Sequence, residues 1–169
     1  MEKIKIENLP EFDSHKSVLC FRGEKSGLFG FVSIHRGGLS VPSFGATRLW
    51  NYDSAVDALR DSLRLSRLMS YKTALAGLKY GGAKAVIWAN GELKNKKLAL
   101  KTYANVVNSF QGKFITGTDV GLGQQDLDMM CKISRFMVGC KCDPAYFTVL
   151  GIYISIKACL KEIFGKEDI

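Results

Sequence analysis

Two lysines, an aspartate and a pair of glycines stand out in the central part of this 169-residue chain. Lys72 follows a tyrosine, Lys84 follows Gly81-Gly82 with one alanine between, and Asp119 follows a threonine. A lysine ammonium binds carboxylates and loses its proton readily when buried, and neighbouring lysines lower each other's pKa. A nearby aspartate can transfer protons. These residue types are therefore suited to binding a carboxylate and moving protons at an adjacent amine.

The elements that must position these residues alternate between strands and helices. Apolar runs at residues 17–22 and 28–35, joined by a loop, predict a β-hairpin. Helical spacing of apolar residues predicts helices from a cap at Asp53 or Ser54 to about Met69, and over residues 96–110, 124–133 and 148–164. Short β-prone runs predict strands at residues 83–88, 114–116 and 136–138. This order predicts an α/β fold, a layered domain with a mixed β-sheet flanked by helices.

Each of the three charged residues also has an ordinary structural interpretation. Lys84 could be an exposed lysine at a turn, and Lys72, just past the first helix, could interact with the C-terminal end of its dipole. Asp119 could cap the helix that follows it. The glycine pair allows the backbone to approach another group closely. The residues alone leave these alternatives open.

Composition narrows the classes of partner. The net charge of +8 could attract nucleic acid. However, the lysines are scattered among acidic residues, and the densest basic patch, residues 94–101, lacks aromatic residues interleaved to stack on bases. No apolar run approaches the roughly 20 residues of a membrane span, and the N-terminus does not resemble a secretory signal. We therefore expect a cytoplasmic protein with no nucleic-acid or membrane partner.

The cysteines indicate neither a disulfide framework nor a metal site. There are five, an odd number, without a recognisable spacing, which predicts free thiols. Cys140 and Cys142 lack further ligands at the spacing of a tetrahedral zinc site. No bound metal is predicted.

Four segments in fixed order carry a resemblance to a known family. They are residues 45–50, Tyr71-Lys72, residues 77–84 and residues 118–121. The chain resembles the dehydrogenases that act on Glu, Leu, Phe or Val, most closely the leucine/valine branch, from about residue 2 to residue 164. The resemblance implies the fold of the family's first domain, which binds the substrate and assembles the oligomer.

The resemblance also implies roles for individual residues. Lys84 would be the catalytic lysine that activates water and stabilises the charge of a carbinolamine, and Asp119 would carry protons to and from the amino group. Lys72 would clamp the substrate α-carboxylate. Lys79 occupies a position that varies in the family and is expected to face solvent.

The remaining implied substrate contacts concern the side-chain pocket. They are Phe44, Gly45 and Met69. Family members that take glutamate have a lysine at the position of Phe44, so the resemblance implies an apolar substrate side chain. Ala46 stands where the family usually has glycine, and its methyl group would narrow the pocket.

The family's NAD-binding Rossmann domain has no counterpart in this sequence. Its G-x-G-x-x-G signature is missing, because Gly121-Leu122-Gly123 is followed by Gln124. We therefore expect one domain, residues 1–169, for substrate binding and oligomerisation, without a cofactor or turnover of its own. The implied parent reaction is NAD-dependent oxidative deamination of an apolar L-amino acid to a 2-oxo acid and ammonia. The alternative is a stand-alone, non-catalytic assembly module that pairs with itself or with a full-length dehydrogenase. We expect a homo-oligomer, because the apolar N-terminal hairpin predicts a sheet edge that a second subunit would cover, and the resemblance implies assembly through this domain.

Overall fold

A computed structural model describes residues 5–38, 40–89, 93, 95–140 and 144–168. The chain divides into two compact units, Met1–Val138 and Gly139–Ile169. The elements of the first unit, after a 3-10 turn at Ile6–Asn8, are β1 (Ser17–Gly23), β2 (Leu28–Ile34), β3 (Ser43–Trp50), α1 (Ala55–Leu75), β4 (Gly81–Trp88), α2 (Lys96–Ser109), β5 (Phe114–Thr118) and α3 (Gln124–Cys131). The second unit contains α4 (Pro144–Phe164).

The first unit is built on one five-stranded sheet with the order β1-β2-β4-β3-β5. β2 pairs antiparallel with β1 and β4, whereas β3 pairs parallel with β4 and β5. Thr47 bonds to Tyr103 of α2, and the next residue, Arg48, bonds to Asp61 of α1. Because successive side chains of a strand point to opposite faces, α1 and α2 lie on opposite faces of the sheet. The predicted α/β fold with a mixed sheet flanked by helices is confirmed.

The α1 face of the sheet is covered over β2 and β4 but is more open over β3. One buried cluster joins these elements and consists of Phe31, Ala58, Leu59, Leu63 and Val86. Over the first six residues of β3, those on the α2 face (Ser43, Gly45 and Thr47) are buried, whereas those on the α1 face (Phe44, Ala46 and Arg48) are half-buried. We call the half-buried surface formed by Phe44, Ala46 and Arg48 the open face.

Helix α1 begins and ends at clear signals. Ser54 caps its first turn, because its hydroxyl accepts the Asp57 N–H at 3.2 Å. The helix runs to Leu75, beyond the end predicted near Met69, because the first residue that favours termination is Gly77, at φ 66°. The prediction that Lys72 follows the helix is therefore wrong: Lys72 lies within its last turn.

Other element predictions differ in smaller ways. Strand β3 was not predicted, because polar residues interrupt its apolar pattern. The strand predicted at residues 136–138 is only an isolated bridge between Met137 and Thr116. Helix α4 begins at Pro144 rather than near residue 148, and Gly165, at φ 70°, follows its end as expected.

The cysteine prediction is partly wrong. Cys131 and Cys140 are each disulfide-bonded, whereas Cys20 and Cys159 are free thiols. A disulfide depends on two Cα atoms lying within about 7 Å, which irregular cysteine spacing does not reveal. Cys142 lies outside the described residues, as does Lys94 of the basic patch.

Candidate active site

Lys84 and Asp119, the two residues implied to be catalytic, form an ion pair. The Lys84 Nζ donates to Oδ2 of Asp119 at 2.6 Å. Lys84 is only 5% exposed, and Asp119 is half-buried. The Nε of Arg48 donates to the same oxygen at 3.0 Å. The structure thus brings a buried lysine, an arginine and a carboxylate to one point beside the open face.

Strand register brings the pair together across β3. Lys84 lies on β4 and Asp119 follows β5, on either side of β3. Ala46 of β3 is opposite Gly117 of β5, and the flanking β3–β4 pairs place it beside Lys84. Because Ala46 has only a methyl side chain, the Lys84 side chain can extend over β3 to reach Asp119. The Asp119 N–H donates to the carbonyl of Thr47 at 2.9 Å, which fixes the start of the loop after β5.

The glycine pair before Lys84 allows the close approach predicted from the sequence. A Cβ atom at Gly82 would overlap the backbone nitrogen of Ser70 in α1, and one at Gly81 would overlap the carbonyl of Arg36. The Gly82 N–H donates to the Ser70 hydroxyl at 3.0 Å. Gly82 therefore sets the distance between α1 and β4, two residues before Lys84, and Gly81 allows the segment after β2 to approach the beginning of β4.

Two of the structural alternatives left open by the sequence are wrong. Lys84 is not exposed at a turn, since it is the fourth residue of β4 and is buried. Asp119 does not cap α3, because the N-cap position is Gly123 and the Gly123 N–H donates to Asp126 at 3.0 Å. The carboxylate of Asp119 is thus committed to Lys84 and Arg48.

Burial and pairing shift the ionisation of this pair. Burial lowers the pKa of Lys84 below its ordinary value, because desolvation of the ammonium outweighs the hydrogen bond and charge of Asp119. Burial alone would raise the pKa of Asp119, but the hydrogen bond and charge of Lys84, aided by Arg48, hold it below its ordinary value. A lysine whose pKa is lowered, next to an ionised carboxylate, is equipped for proton transfer.

Sequence reasoning missed the residues that support this pair. Arg48 Nη1 donates to Oδ2 of Asp61 at 2.8 Å, and the hydroxyl of Tyr52 donates to the same oxygen at 2.6 Å. From the sequence, Arg48 was considered only within the segment 45–50 and was assigned no role. One signal was present: Asp61 lies directly beside the buried stripe of α1, where an unpaired carboxylate would be costly.

Lys72 does not contact the ion pair in this structure. It is exposed in the last turn of α1, and no hydrogen bond or ion pair of its side chain is found among the described residues. Its position fits the alternative role as a C-terminal dipole partner. Met69, half-buried, lies one turn earlier on the same helix.

Phe44 and Gly45 lie next to each other on β3. The Phe44 ring is on the open face, with its centroid 5.8 Å from that of Tyr80. Gly45 is buried, and a Cβ atom there would overlap the carbonyl of Ala83 in β4. Gly45 therefore permits close packing of the two strands, while Phe44 presents an aromatic surface.

The N-terminus of α3, just after Gly121-Leu122-Gly123, has no free N–H at Gly123 for a phosphate. Pyrophosphates bind free N–H groups at helix N-termini, but at the start of α3 the Gly123 N–H is taken by the carboxylate of Asp126. The Nζ of Lys96 also donates to Oδ2 of Asp126, at 2.7 Å. Within the described ranges, no cluster of three or more metal-ligating side chains occurs, and no helix has the length and hydropathy of a transmembrane span.

Comparisons with known proteins agree on one family. The family described as Glu/Leu/Phe/Val dehydrogenase, dimerisation domain, matches residues 15–135. Leucine dehydrogenase from Bacillus cereus is 34% identical over 170 residues, covering 97% of this chain and 46% of that protein. L-tryptophan dehydrogenase from Nostoc punctiforme is 41% identical over 151 residues, covering 88% of this chain and 42% of that protein. The chain thus spans less than half the length of these relatives.

Solved structures show the same fold. The crystal structure of L-tryptophan dehydrogenase from Nostoc punctiforme superimposes with a TM-score of 0.71 at 37% identity, covering 90% of this chain and 44% of that one. Glutamate dehydrogenase from Peptoniphilus asaccharolyticus gives a TM-score of 0.65 at 20% identity, over 90% of this chain and 44% of that one. The second likeness concerns the fold alone.

Proposed function

This chain belongs to the Glu/Leu/Phe/Val dehydrogenase family, and on that basis we propose that it is the substrate-binding domain of an NAD-dependent dehydrogenase for an apolar L-amino acid of the leucine, valine or phenylalanine type. The amino acid, water and NAD⁺ yield a 2-oxo acid, ammonium, NADH and a proton. A bound nicotinamide would supply the hydride acceptor for this reaction. The observation that carries this proposal is the buried Lys84–Asp119 pair beside the open face.

In this reaction Lys84 and Asp119 divide the proton transfers. Asp119 takes a proton from the substrate ammonium, so that the amine is neutral when the α-carbon loses its hydride. Neutral Lys84 then takes a proton from the water that attacks the imine carbon, and the resulting ammonium stabilises the carbinolamine. Asp119 returns a proton to the departing amine as the carbonyl forms. The carbinolamine hydroxyl and Lys84 each release one proton, and the departing ammonia takes up one of these two to become ammonium. The lowered pKa of Lys84 favours its role as the base.

Lys72 and Phe44 are proposed to hold the two ends of the substrate. The Lys72 ammonium has no described ion pair, so it is available for the substrate α-carboxylate. Phe44 and its neighbour Tyr80 offer aromatic surface to an apolar side chain. A glutamate side chain would find no cation at Phe44.

The test compares two lysines in the natural-length protein that carries this sequence. We expect Lys84→Ala to lower kcat about 1,000-fold, since general acid–base catalysis contributes on that order. Lys79→Ala is the matched control, because Lys79 is exposed and only five residues away. Formation of reduced cofactor is measured with leucine, valine and phenylalanine. An equal loss in both variants, or none in Lys84→Ala, contradicts the proposal.

The alternative is a non-catalytic assembly module. It is favoured by one observation: among the described residues, no strand pairs with the outer edge of β1. A natural-length protein that forms oligomers but turns over none of these amino acids supports this alternative and excludes the dehydrogenase.

A further inference from the structure

A chain of hydrogen bonds connects α1 to the carboxylate of Asp119. Arg48 is its centre: Nε donates to Oδ2 of Asp119 at 3.0 Å, and Nη1 donates to Oδ2 of Asp61 at 2.8 Å. Asp61 is itself held on both oxygens, by the Tyr52 hydroxyl on Oδ2 at 2.6 Å and by Nη2 of Arg64 on Oδ1 at 2.6 Å. One guanidinium therefore joins two carboxylates from different elements.

These hydrogen bonds are partly shielded from water, which strengthens them. The side chains of Arg48, Asp61 and Asp119 are 23%, 12% and 24% exposed. Ion pairs fully exposed to water contribute almost nothing, whereas charge-assisted hydrogen bonds with partial burial are strong and directional. The geometry suits arginine, because two separate nitrogens of its rigid planar guanidinium, Nε and Nη1, donate to the two carboxylates. A lysine would have to reach both carboxylates from a single nitrogen on a flexible stem.

We propose that Arg48 is a positioning residue which, anchored by Asp61 and Tyr52, holds the Asp119 carboxylate in the orientation that meets Lys84. The chemical consequence rests on the proposed function, in which Asp119 and Lys84 transfer protons. Arg48 and Lys84 both donate to Oδ2 of Asp119, from β3 and from β4. These two cationic donors on one oxygen restrict the orientation of the carboxylate.

The charge of Arg48 also acts on the pair it orients. Three charged groups face Lys84 from the packed elements: Asp119 after β5, Arg48 on β3 and Asp61 on α1. The two carboxylates favour the ammonium form of Lys84, and Arg48 opposes it. Arg48 also favours the ionised form of Asp119. Removing its charge should therefore raise the pKa of both groups.

Steady-state kinetics of the natural-length protein separate orientation from charge. With Arg48→Gln we expect kcat to fall about 100-fold, as a small misplacement of a reacting group can cause, while KM for the amino acid changes little. The limb of the pH–rate profile that reports deprotonation of Lys84 should move to higher pH. With Arg48→Lys the limb should return towards the wild-type position while kcat stays low. Wild-type kcat in either variant overturns the proposal.

Two aspartates on α1 provide a matched control. Asp61→Asn removes the anchor of Arg48 and should lower kcat in the same direction as Arg48→Gln. Asp57→Asn removes the same charge from the same helix, but Asp57 bonds to Ser54 rather than to Arg48. Equal losses of kcat in the two variants would show that charge on α1, rather than the anchored guanidinium, is responsible, and would overturn the proposal.

A second measurement does not depend on turnover. Nuclear magnetic resonance titration of the Lys84 Nζ and of the Asp119 carboxyl in the 169-residue chain should show both pKa values displaced upward by Arg48→Gln. If Arg48→Gln does not fold, Tyr52→Phe replaces it, because it removes one hydrogen bond to Asp61 and keeps every charge. We expect Tyr52→Phe to lower kcat by less than the roughly 100-fold expected for Arg48→Gln. An unchanged kcat in Tyr52→Phe overturns the proposal. Absence of turnover in the wild-type protein refutes the proposed function, whereas unchanged titration curves in folded Arg48→Gln refute the role of Arg48.

Discussion

At the scale of single residues, Phe44 is expected to decide which substrate side chains are accepted. Its ring lies on the open face against Tyr80, with no cation in the pair. We expect faster turnover of leucine or valine than of glutamate in the natural-length protein. Phe44→Lys should shift the kcat/KM ratio towards glutamate by about tenfold or more, because it would supply a partner for the side-chain carboxylate. Phe44→Leu, which stays apolar, is the control. A wild-type preference for glutamate contradicts this interpretation.

Gly82 shows how one missing side chain sets the packing of two elements. A Cβ atom there would overlap backbone atoms of Ser70 and Ser66, which cannot move without displacing α1. We expect Gly82→Ala to lower the free energy of unfolding by about 3 kcal/mol, the upper part of the range for overpacking. Gly123→Ala is the control, since nothing lies within 4 Å of a Cβ there. Urea unfolding measures both; equal midpoints would contradict the argument.

At the scale of elements, a buried histidine pair holds the segment before β1 to the rest of the sheet. The rings of His15 and His35 lie 4.9 Å apart. His35 Nε2 contacts Asp13 at 3.0 Å and Nδ1 contacts the Ser70 hydroxyl at 2.8 Å, while His15 Nε2 donates to the carbonyl of Leu63 at 3.0 Å. These contacts connect the segment to the end of β2 and to α1. Because they are made by ring nitrogens, they depend on which of those nitrogens carry protons.

This pair predicts a loss of stability at mildly acidic pH. Burial lowers the pKa of His15 and of His35 below the ordinary 6.5, despite their hydrogen bonds to Leu63 and Asp13. As pH falls below 6.5, the unfolded chain therefore binds protons before the folded chain does, and the free energy of unfolding decreases. Urea unfolding between about pH 7.5 and pH 5 measures this slope. His35→Gln should reduce the slope; an unchanged slope would exclude His35 as its source.

The elements were predictable where local pattern decides them. Helix α2, predicted over residues 96–110, is observed at Lys96–Ser109, because its apolar stripe and its Asn95 cap are both local signals. The bridge from Asp61 through Arg48 to Asp119 could not be predicted. It depends on the parallel register of β3 and β5 and on α1 packing across the sheet, and none of these relations is encoded in neighbouring residues. Because β3 was not predicted, there was no basis in the sequence for placing Arg48 between Asp61 and Asp119.

At the scale of the whole molecule, β1 leaves a sheet edge without a described partner strand. Leu19 in this strand is 40% exposed and Cys20 is also exposed. An apolar edge strand pairs with another chain unless something covers it. The family description of residues 15–135 as a dimerisation domain agrees with such pairing. We therefore expect a homo-oligomer in which β1 meets β1 of a second copy about a twofold axis.

Leu19→Lys tests this assembly. A lysine at an exposed edge position opposes strand pairing, because two such charges would lie close together across a twofold interface. We expect light scattering at micromolar concentration to show an oligomer for the wild-type chain and a smaller species for Leu19→Lys, with the circular dichroism of both chains alike. Leu68→Lys is the control, because Leu68 is 45% exposed but lies on α1, away from the strand edge. A monomeric wild-type chain, or dissociation caused equally by both substitutions, would show that β1 does not form the interface.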